Sequence, residues 1–468
     1  MDLEQTTLVN EVGLILNQAA KPVHYYWEAA IIAGGQVYPA YKVMSIDVRR
    51  DYANNYADQI MIELYIGGGT YARNIVPYKE DLKVLLVRNP IGEVNNGVRP
   101  EEGIFHQTFR GTLLQKDQPA TAGDDPLMTA DPVVGDLVSM RRIQIQLQDL
   151  SLEQIRLITV GTVVGNCKPA DPILYFLSQA GKSINVDKEN QIRGVTMIPA
   201  NNQEVQDHIV IPQQTSLLEL PDYIQNVCCG VYNAGLGFYL QKQMWYVWPL
   251  YDLTRFDTYQ QTVTVIVVPK NRLNSVERTY RTTANQVIIL GTGGARHVDA
   301  TEDAIANQGN GVRFADSRKM LESFAEVKGN KAVAKRSYNN SEFVGINRAS
   351  GLNNIPNGGF NNNIYYETSQ LASRKGSIIE VIWQNSEPDL ITPDKPFQVI
   401  VAKDGLPQIM RATVLGTHTY IDGGDNGIKN NRHMSKTSIW LFVDKDLPEL
   451  KEFEATTKVD QYSSPLPI

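Results

Sequence analysis

Four groupings in this 468-residue chain have residue types and spacing that could do chemistry. The first is Leu290-Gly291-Thr292-Gly293-Gly294-Ala295, which follows the apolar run Val287 to Leu290. Glycines placed after a strand let the backbone approach a pyrophosphate at a helix N-terminus, which is how dinucleotides are bound. Here Arg296 stands where the third glycine is needed and no βαβ pattern surrounds the run, so it reads as a turn. A GxxxxGK[ST] run is absent, which removes a P-loop. The second grouping is the histidines, His24, His106, His208, His297, His418 and His433. None forms HExxH or a tight pair. His418 and His433 fall on opposite arms of an expected hairpin, where they could face each other, but a zinc site there lacks a third ligand in view. The third is Asp422-Gly423-Gly424-Asp425-Asn426-Gly427, which looks like a calcium loop. Its spacing is not that of an EF-hand and no Glu stands at position twelve, whereas Asp, Asn and Gly are also what a tight hairpin turn requires. Whether an ion binds near His418 or Asp425 stays open at this level. The fourth is the pool of 51 acidic residues. Glycosidase-type carboxylate pairs have no short motif, because their geometry is set in three dimensions.

Nucleophile chemistry finds less. There is no GxSxG, and the three cysteines, Cys167 and the adjacent Cys228-Cys229, have no catalytic surround. An odd, sparse set makes no disulfide framework, the lack of CxxC excludes a zinc ribbon, and buried reduced thiols are expected. The sequence thus nominates no catalytic residue, no cofactor-binding residue and no metal ligand, and the chain is expected not to be an enzyme. Its formal charge of −7 argues against a dedicated DNA binder. Asp2 and Glu4 sit where a secretory signal needs positive charge, and no run reaches the roughly 20 apolar residues of a membrane span, so cytoplasmic synthesis without membrane insertion is expected.

The elements that would position any site are mostly strands. In Gln59 to Ile66, Ile60, Ile62, Leu64 and Ile66 share one face and Glu63 takes the other. In Arg141 to Gln148, Ile143, Ile145 and Leu147 alternate with Arg142, Gln144, Gln146 and Gln148. This period of two marks strands with one buried and one wet face. Val43 to Arg49, Leu82 to Arg88, Phe105 to Leu114 and Ile155 to Val164 are further strands of a barrel or sandwich, with a surface excursion over Gln115 to Val134. A helix is expected from Asp171 as N-cap, with Pro172 at its first position, to Gly181. A second is expected to start at Ser216, whose spacing to Glu219 is that of a capping box. It carries Leu217, Leu218, Leu220, Tyr223, Ile224 and Val227 toward a core. After the glycines of Asn233 to Gly237 come two aromatic strands, Phe238 to Gln241 and Met244 to Leu250, with a tight turn near Lys242-Gln243. Leu218, Tyr223, Ile224, Trp245 and Val247 are the predicted core of this module. Strands resume at Gln261 to Pro269, Ser377 to Gln384, Phe397 to Ala402, Gln408 to Thr419 and Thr437 to Val443.

Length predicts about three domains at roughly 150 residues each. The fold class is mainly β with α+β. Residues 1–41 form an N-terminal extension, 42–165 a first barrel and 166–255 a small α/β domain. Residues 256–446 form a second barrel with an extended insertion at about 271–375, and 447–468 form a C-terminal tail. The insertion is polar, with Asn353, Asn354, Asn357 and Asn361 to Asn363 clustered, and holds one expected helix, Asp316 to Lys328. So much irregular chain suits an arm lying against another subunit better than a compact core.

Four stretches carry a resemblance. The first barrel contains SIDVRRDYANNYADQIMIELYIGGG and then NIVPYKEDLKVLLVRNP. The module contains Leu220-Pro221-Asp222-Tyr223 and the strand Met244 to Leu250. The insertion contains Gly311-Val312-Arg313-Phe314-Ala315-Asp316 and Ser341-Glu342-Phe343. The last barrel contains Val381-Ile382-Trp383-Gln384, Pro393, Leu415 to Tyr420 and Ser438 to Val443. Together they resemble the hub proteins of contractile bacteriophage tail baseplates, over most of residues 40 to 445. The resemblance implies two tube-like β-barrel domains flanking the small α/β domain. It implies a structural virion protein, a homotrimer that adapts a sixfold tail tube to a threefold central spike and lines the DNA channel. Its partners would be the tail tube protein, the central spike protein, and baseplate wedge or other tail proteins, with genomic DNA only in transit. The alternatives are a tail-associated carbohydrate- or peptidoglycan-degrading enzyme, or another baseplate structural protein.

Overall fold

The computed structural model describes residues 12–15, 24–91, 105–114, 140–269, 273, 279–293, 298–299, 325–328, 331–334, 376–403, 406–424 and 432–444. The chain is mainly β, built on one large mixed sheet that contains two rings of six strands.

The first ring uses β1 (His24–Ala33), β3 (Lys42–Asp51), β4 (Gln59–Gly67), β5 (Leu82–Ile91), β6 (Phe105–Leu113) and β7 (Met140–Asp149). They pair antiparallel in the order β3-β4-β7-β6-β5-β1. The short β2 (Gln36–Pro39) folds back on the end of β1, through Gly34 and Gly35, both at positive φ. Such a turn costs a Cβ-bearing residue strain that glycine avoids. The period-two rows predicted for β4 and β7 are the buried ones: Ile60, Ile62, Leu64, Ile66, Ile143, Ile145 and Leu147 all point inward. The 1–41 extension needs correction, since β1 and β2 lie within it and Ile31 is fully buried in the first core. The apolar run of β1 pairs with β5 from His24↔Ile91 to Ile32↔Lys83.

The small module follows with α1 (Leu150–Ile155), β8 (Thr159–Cys167), α2 (Ala170–Ser183), β9 (Gly194–Met197), β10 (Gln206–Ser216), α3 (Leu220–Tyr223), β11 (Leu236–Gln241) and β12 (Met244–Pro249). β8 pairs with β10, not with the first ring, so the barrel's share of 42–165 ends with β7. β12 joins β11 antiparallel and β9 parallel. Leu218, Ile224, Trp245 and Val247 are buried in the module core as predicted. Tyr223 is half-buried, with its hydroxyl donating to the Val210 carbonyl, and Val227 is exposed. Neither helix starts with the expected cap. α2 begins at Ala170, and the Asp171 carboxylate accepts from the Lys168 N–H instead. It also runs past Gly181, which packs in the helix interior near Ile192. Ser216 ends β10, and α3 begins after Glu219 without a side-chain cap, so the capping box does not form. The strand β10 claims the serine that the box would use.

The second ring uses β13 (Thr262–Val268), β15 (Gln286–Gly293), β19 (Gly376–Gln384), β20 (Phe397–Lys403), β21 (Leu406–Asp422) and β22 (Met434–Asp444). Its pairings run β13-β20-β21-β22-β19-β15 and back to β13. Between β13 and β19 lie β14 (Tyr280–Thr282), β16 (Val298–Asp299), and the hairpin of β17 (Ala325–Lys328) and β18 (Lys331–Ala334). The insertion therefore starts later than 271, because β15 is an integral wall of the barrel. The expected helix Asp316 to Lys328 is also corrected at its end, where residues 325–328 are strand; residues 316–324, the Asn-rich run and the tail from Glu449 lie outside the described residues. So does the whole excursion over Gln115 to Val134.

β21 fuses the two rings. Its first half pairs with β20, from Lys403↔Leu406 to Phe397↔Ala412, and its second half with β3, from Gly416↔Asp51 to Asp422↔Ser45. The register against β22 shifts between Val414 and Gly416, a bulge where the strand leaves one barrel for the other. Gly416 is needed there, since a Cβ would sit 2.6 Å from the Arg50 carbonyl oxygen. Among the described residues no helix is long and apolar enough to cross a membrane.

Candidate functional site at the barrel junction

Among the described residues, a dense set of buried charged groups sits where the three units meet. Arg50 is the seed. In β3 it is in phase with Ile46 and Val48, so the strand period turns it inward, where it is 5% exposed. Its Nε donates to Asp58 Oδ2 at 3.0 Å, its Nη1 to the Pro388 carbonyl at 3.1 Å and its Nη2 to Asp389 Oδ1 at 3.5 Å. Arg88 of β5 extends the inward row Leu82, Val84, Leu86 in the same way. Its Nη1 donates to Glu387 Oε1 at 2.8 Å, and its guanidinium lies 4.5 Å from the centre of the Tyr25 ring. The module supplies the third cation. Lys242 and Gln243 form the two-residue turn between β11 and β12, both at positive φ, +51° and +59°. Lys242 Nζ reaches Asp389 Oδ2 at 2.9 Å and Gln243 Nε2 reaches Asp149 Oδ2 at 3.2 Å. Asp149 also caps α1, accepting from the N–H groups of Ser151 and Leu152, and takes a bond from Gln107 of β6.

These groups border a cavity of about 120 Å³ whose other wall is apolar, with Ile60, Leu86 and Phe109 of the first barrel. Three cations, Arg50, Arg88 and Lys242, meet four carboxyl groups, Asp58, Asp149, Glu387 and Asp389. Burial disfavours the Asp389 carboxylate, yet Lys242, Arg50 and Arg88 outweigh it and hold the group at about 2. Burial works against the Arg50 charge as well, and Asp58, Tyr52, Asp389 and Tyr239 together more than restore it. Glu387 goes the other way, with burial raising it above the usual carboxylate range in spite of Arg88. Burial likewise raises Asp149 against its N–H donors. One carboxyl held low beside one held high is the electrostatic setting of acid–base hydrolases. Here each carboxylate is already engaged by a cation or by amide and N–H donors, which is the chemistry of a clamp.

No protein-family model and no curated protein matches the sequence. Solved tail proteins align with the chain over most of its length. The tail protein from Neisseria meningitidis MC58 aligns over 89% of this chain and 96% of its own, at 11% identity and a TM-score of 0.41. The 43 kDa tail protein of prophage MuSo2 from Shewanella oneidensis aligns over 88% and 96%, at 10% identity and a TM-score of 0.40. A type VI secretion system component from E. coli, described as structurally similar to the T4 tail proteins gp27 and gp5, aligns over 87% and 76%, at 8% identity and a TM-score of 0.38.

The groupings that the sequence put forward are scattered over the fold. Gly291 and Gly293 lie inside β15, not in a turn, pairing with Val267 of β13 and Val381 of β19. Gly291 is required by contact, because a Cβ would stand 2.3 Å from Val381. His418 and His433 do not meet. His418 Nε2 lies 2.9 Å from Asp47 Oδ1, whereas His433 sits between β1 and β3. Asp425 falls outside the described residues, and Asp422 accepts from the Gly424 N–H. The three thiols are free, and burial pushes Cys229 up to about 12. Sequence reasoning passed over the junction, although a signal existed: two arginines, Arg50 and Arg88, end apolar rows in phase with buried positions.

Proposed function

We propose that the chain is a structural hub of a phage tail baseplate, without enzymatic activity. In this reading it is a homotrimer that adapts a sixfold tail tube to a threefold central spike and lines the channel through which DNA passes. The observation that carries it is the pair of six-stranded rings joined edge to edge by β21 and β3. Three copies then place six barrels around an axis, while the chain itself repeats only three times. The same arrangement supplies a wall. Strands β22, β21, β3, β4 and β7 are continuous across both barrels, and Lys436, Tyr420, Asp47, Met61 and Gln146 stand opposite one another in register. A face of mixed polarity, on a chain of net charge −7, offers phosphates no continuous track of cations. The clamp at the junction fixes the angle between the barrels, which ring closure requires. The partners in this reading are the tube protein, the spike protein and other baseplate proteins, and the chain acts in the virion tail.

Light scattering on the purified chain at high concentration should give three times its 52.3 kDa mass. A monomer under those conditions overturns the trimer. The protein should also leave peptidoglycan and model glycosides intact. Turnover abolished by Glu387→Gln with folding preserved would instead make the junction an active site.

A further inference from the structure

The two rings are closed differently. Around the second, each neighbouring pair of strands shares a backbone ladder. In the first, among the described residues, no ladder joins β1 to β3; β2 takes only the far end of the free edge of β1, from Ala30 to Ala33. Near Tyr25 and Trp27 that edge is taken by His433, which is 7% exposed. The His433 main-chain N–H donates to the Tyr25 carbonyl at 3.0 Å. Its ring Nδ1 accepts from the Trp27 N–H at 3.2 Å, and its Nε2 lies 3.1 Å from the Val43 carbonyl oxygen on β3. The imidazole thus does the work of a missing strand residue, bridging β1 to β3.

These partners fix the protonation state. The Trp27 N–H can only donate, so Nδ1 must keep its lone pair; the Val43 oxygen can only accept, so the proton sits on Nε2. A second ring proton would set N–H against N–H at Trp27 and cancel one of the two bonds that hold the seam. We infer that His433 is a proton-sensitive clasp of the first barrel: the neutral ring closes the β1–β3 seam and protonation releases it.

Charged and titratable groups face the ring's surroundings from each packed element. Tyr25 comes from β1, Lys42 and Arg50 from β3, Asp58 from the loop before β4, Arg88 from β5, Asp149 from β7, Lys242 from the β11–β12 turn, Asp422 from β21, and Glu387 and Asp389 from the 386–389 segment, with Arg432 adjacent in sequence. Arg50 and Arg88 are engaged with the carboxylates of the junction, and Lys42 Nζ donates to the Gly424 carbonyl at 2.6 Å. The clasp is also shape-specific, since a Cβ on Gly423 would stand 2.9 Å from His433 Nε2.

The sign follows from linkage. The closed seam binds the neutral ring, while the open one lets it titrate near 6.5 as a free histidine does, so acid favours opening. From pH 7.5 to pH 5.5 the opening constant should rise about tenfold. Hydrogen exchange on the full chain, corrected for the intrinsic effect of pH, should show this for the peptide covering β1 and not for β4, which is laddered on both edges. In His433→Gln, whose amide offers one acceptor and one donor without titrating, the β1 peptide should lose the pH dependence. Equal protection of β1 at both pH values in the parent chain overturns the clasp, and so does an unchanged pH response in the Gln variant. The parent comparison between β1 and β4 decides the matter even if the variant fails to fold.

Discussion

The small module is held between the barrels by two different kinds of contact. Toward the second barrel, Tyr239, Trp248 and Leu250 enter one buried cluster with Val263, Trp383 and Val399, joined by Tyr52 from the end of β3. Its other contact is the polar turn Lys242-Gln243, where Gln243 meets Asp149 of the first barrel and Lys242 meets Asp389 from the 386–389 segment of the second. The apolar contact removes large aromatic surfaces from water, a strong and non-directional stabilisation. The ionic contact adds little net stability after desolvation, but each charge has one geometry that satisfies it, so a wrong docking angle is penalised. One face therefore supplies adhesion and the other supplies register.

Removing carbon should cost most. Trp248 is fully buried, and Gly237 lies so near its ring that a Cβ there would be 2.4 Å away. Trp248→Ala should lose about 3–5 kcal/mol as a buried aromatic truncation, read from urea denaturation. A midpoint unchanged from the parent would mean that this face does not hold the units together.

Breaking the clamp comes next. Arg50→Ala leaves Asp58 and Asp389 short of one buried partner, a loss of about 3 kcal/mol at the lower end of the range for broken buried pairs. The double change Arg50→Met with Asp389→Leu removes charge from both sides and should lose less than the single one. If the double variant is the weaker, the clamp contributes adhesion after all, and the contrast between the faces fails.

The third test uses protons. The Asp389 carboxyl is held at about 2 by Lys242, Arg50 and Arg88, below its ordinary value of 3.8. A depressed carboxyl stabilises the fold above its unfolded pKa and loses that contribution as pH falls through its folded one. The parent should therefore lose roughly 2 kcal/mol between about pH 4 and pH 2 from this group, and Asp389→Asn should flatten that limb. Glu387 has the opposite sign: its raised carboxyl costs stability as pH climbs past its usual value. Stability curves of the two variants, Asp389→Asn and Glu387→Gln, should bend in opposite directions against the parent.

Periodicity made most of the strands legible, because a strand with one wet face writes its burial into every second residue. β4, β7 and β20 appear within a residue or two of their expected limits. It failed where tertiary pairing decides. β1 carries the run YYWEAAIIA, which has no clean alternation and acquires its place only by pairing with the distant β5. β8 looks like one more barrel strand and is claimed by β10. The clamp was half-written: Arg50 and Arg88 mark their inward positions by phase, but Glu387 and Asp389 sit in a short turn whose partners lie about three hundred residues upstream. No local pattern encodes that contact. His433 was visible only as a hairpin histidine, since the seam that it closes exists only once both rings have formed.

The smallest effect is the sharpest control. Arg49 and Arg50 are neighbours in β3, identical in chemistry and opposite in face. The Arg49 side chain is 56% exposed and meets Asp47 at 3.3 Å, while that of Arg50 is 6% exposed and bonded to two acids and a carbonyl. A solvent-exposed pair gains little Coulomb energy, spends side-chain entropy and is screened by salt. Arg49→Ala should therefore shift stability by less than about 0.5 kcal/mol, and 0.5 M salt should remove most of what remains. Arg50→Ala, one residue along, should keep its larger penalty in the same salt, because a buried pair is screened far less. Were both variants to weaken the protein equally, or both to lose their effect in salt, burial would not be what separates them. The junction would then be an ordinary surface network rather than the element that sets the angle between the barrels.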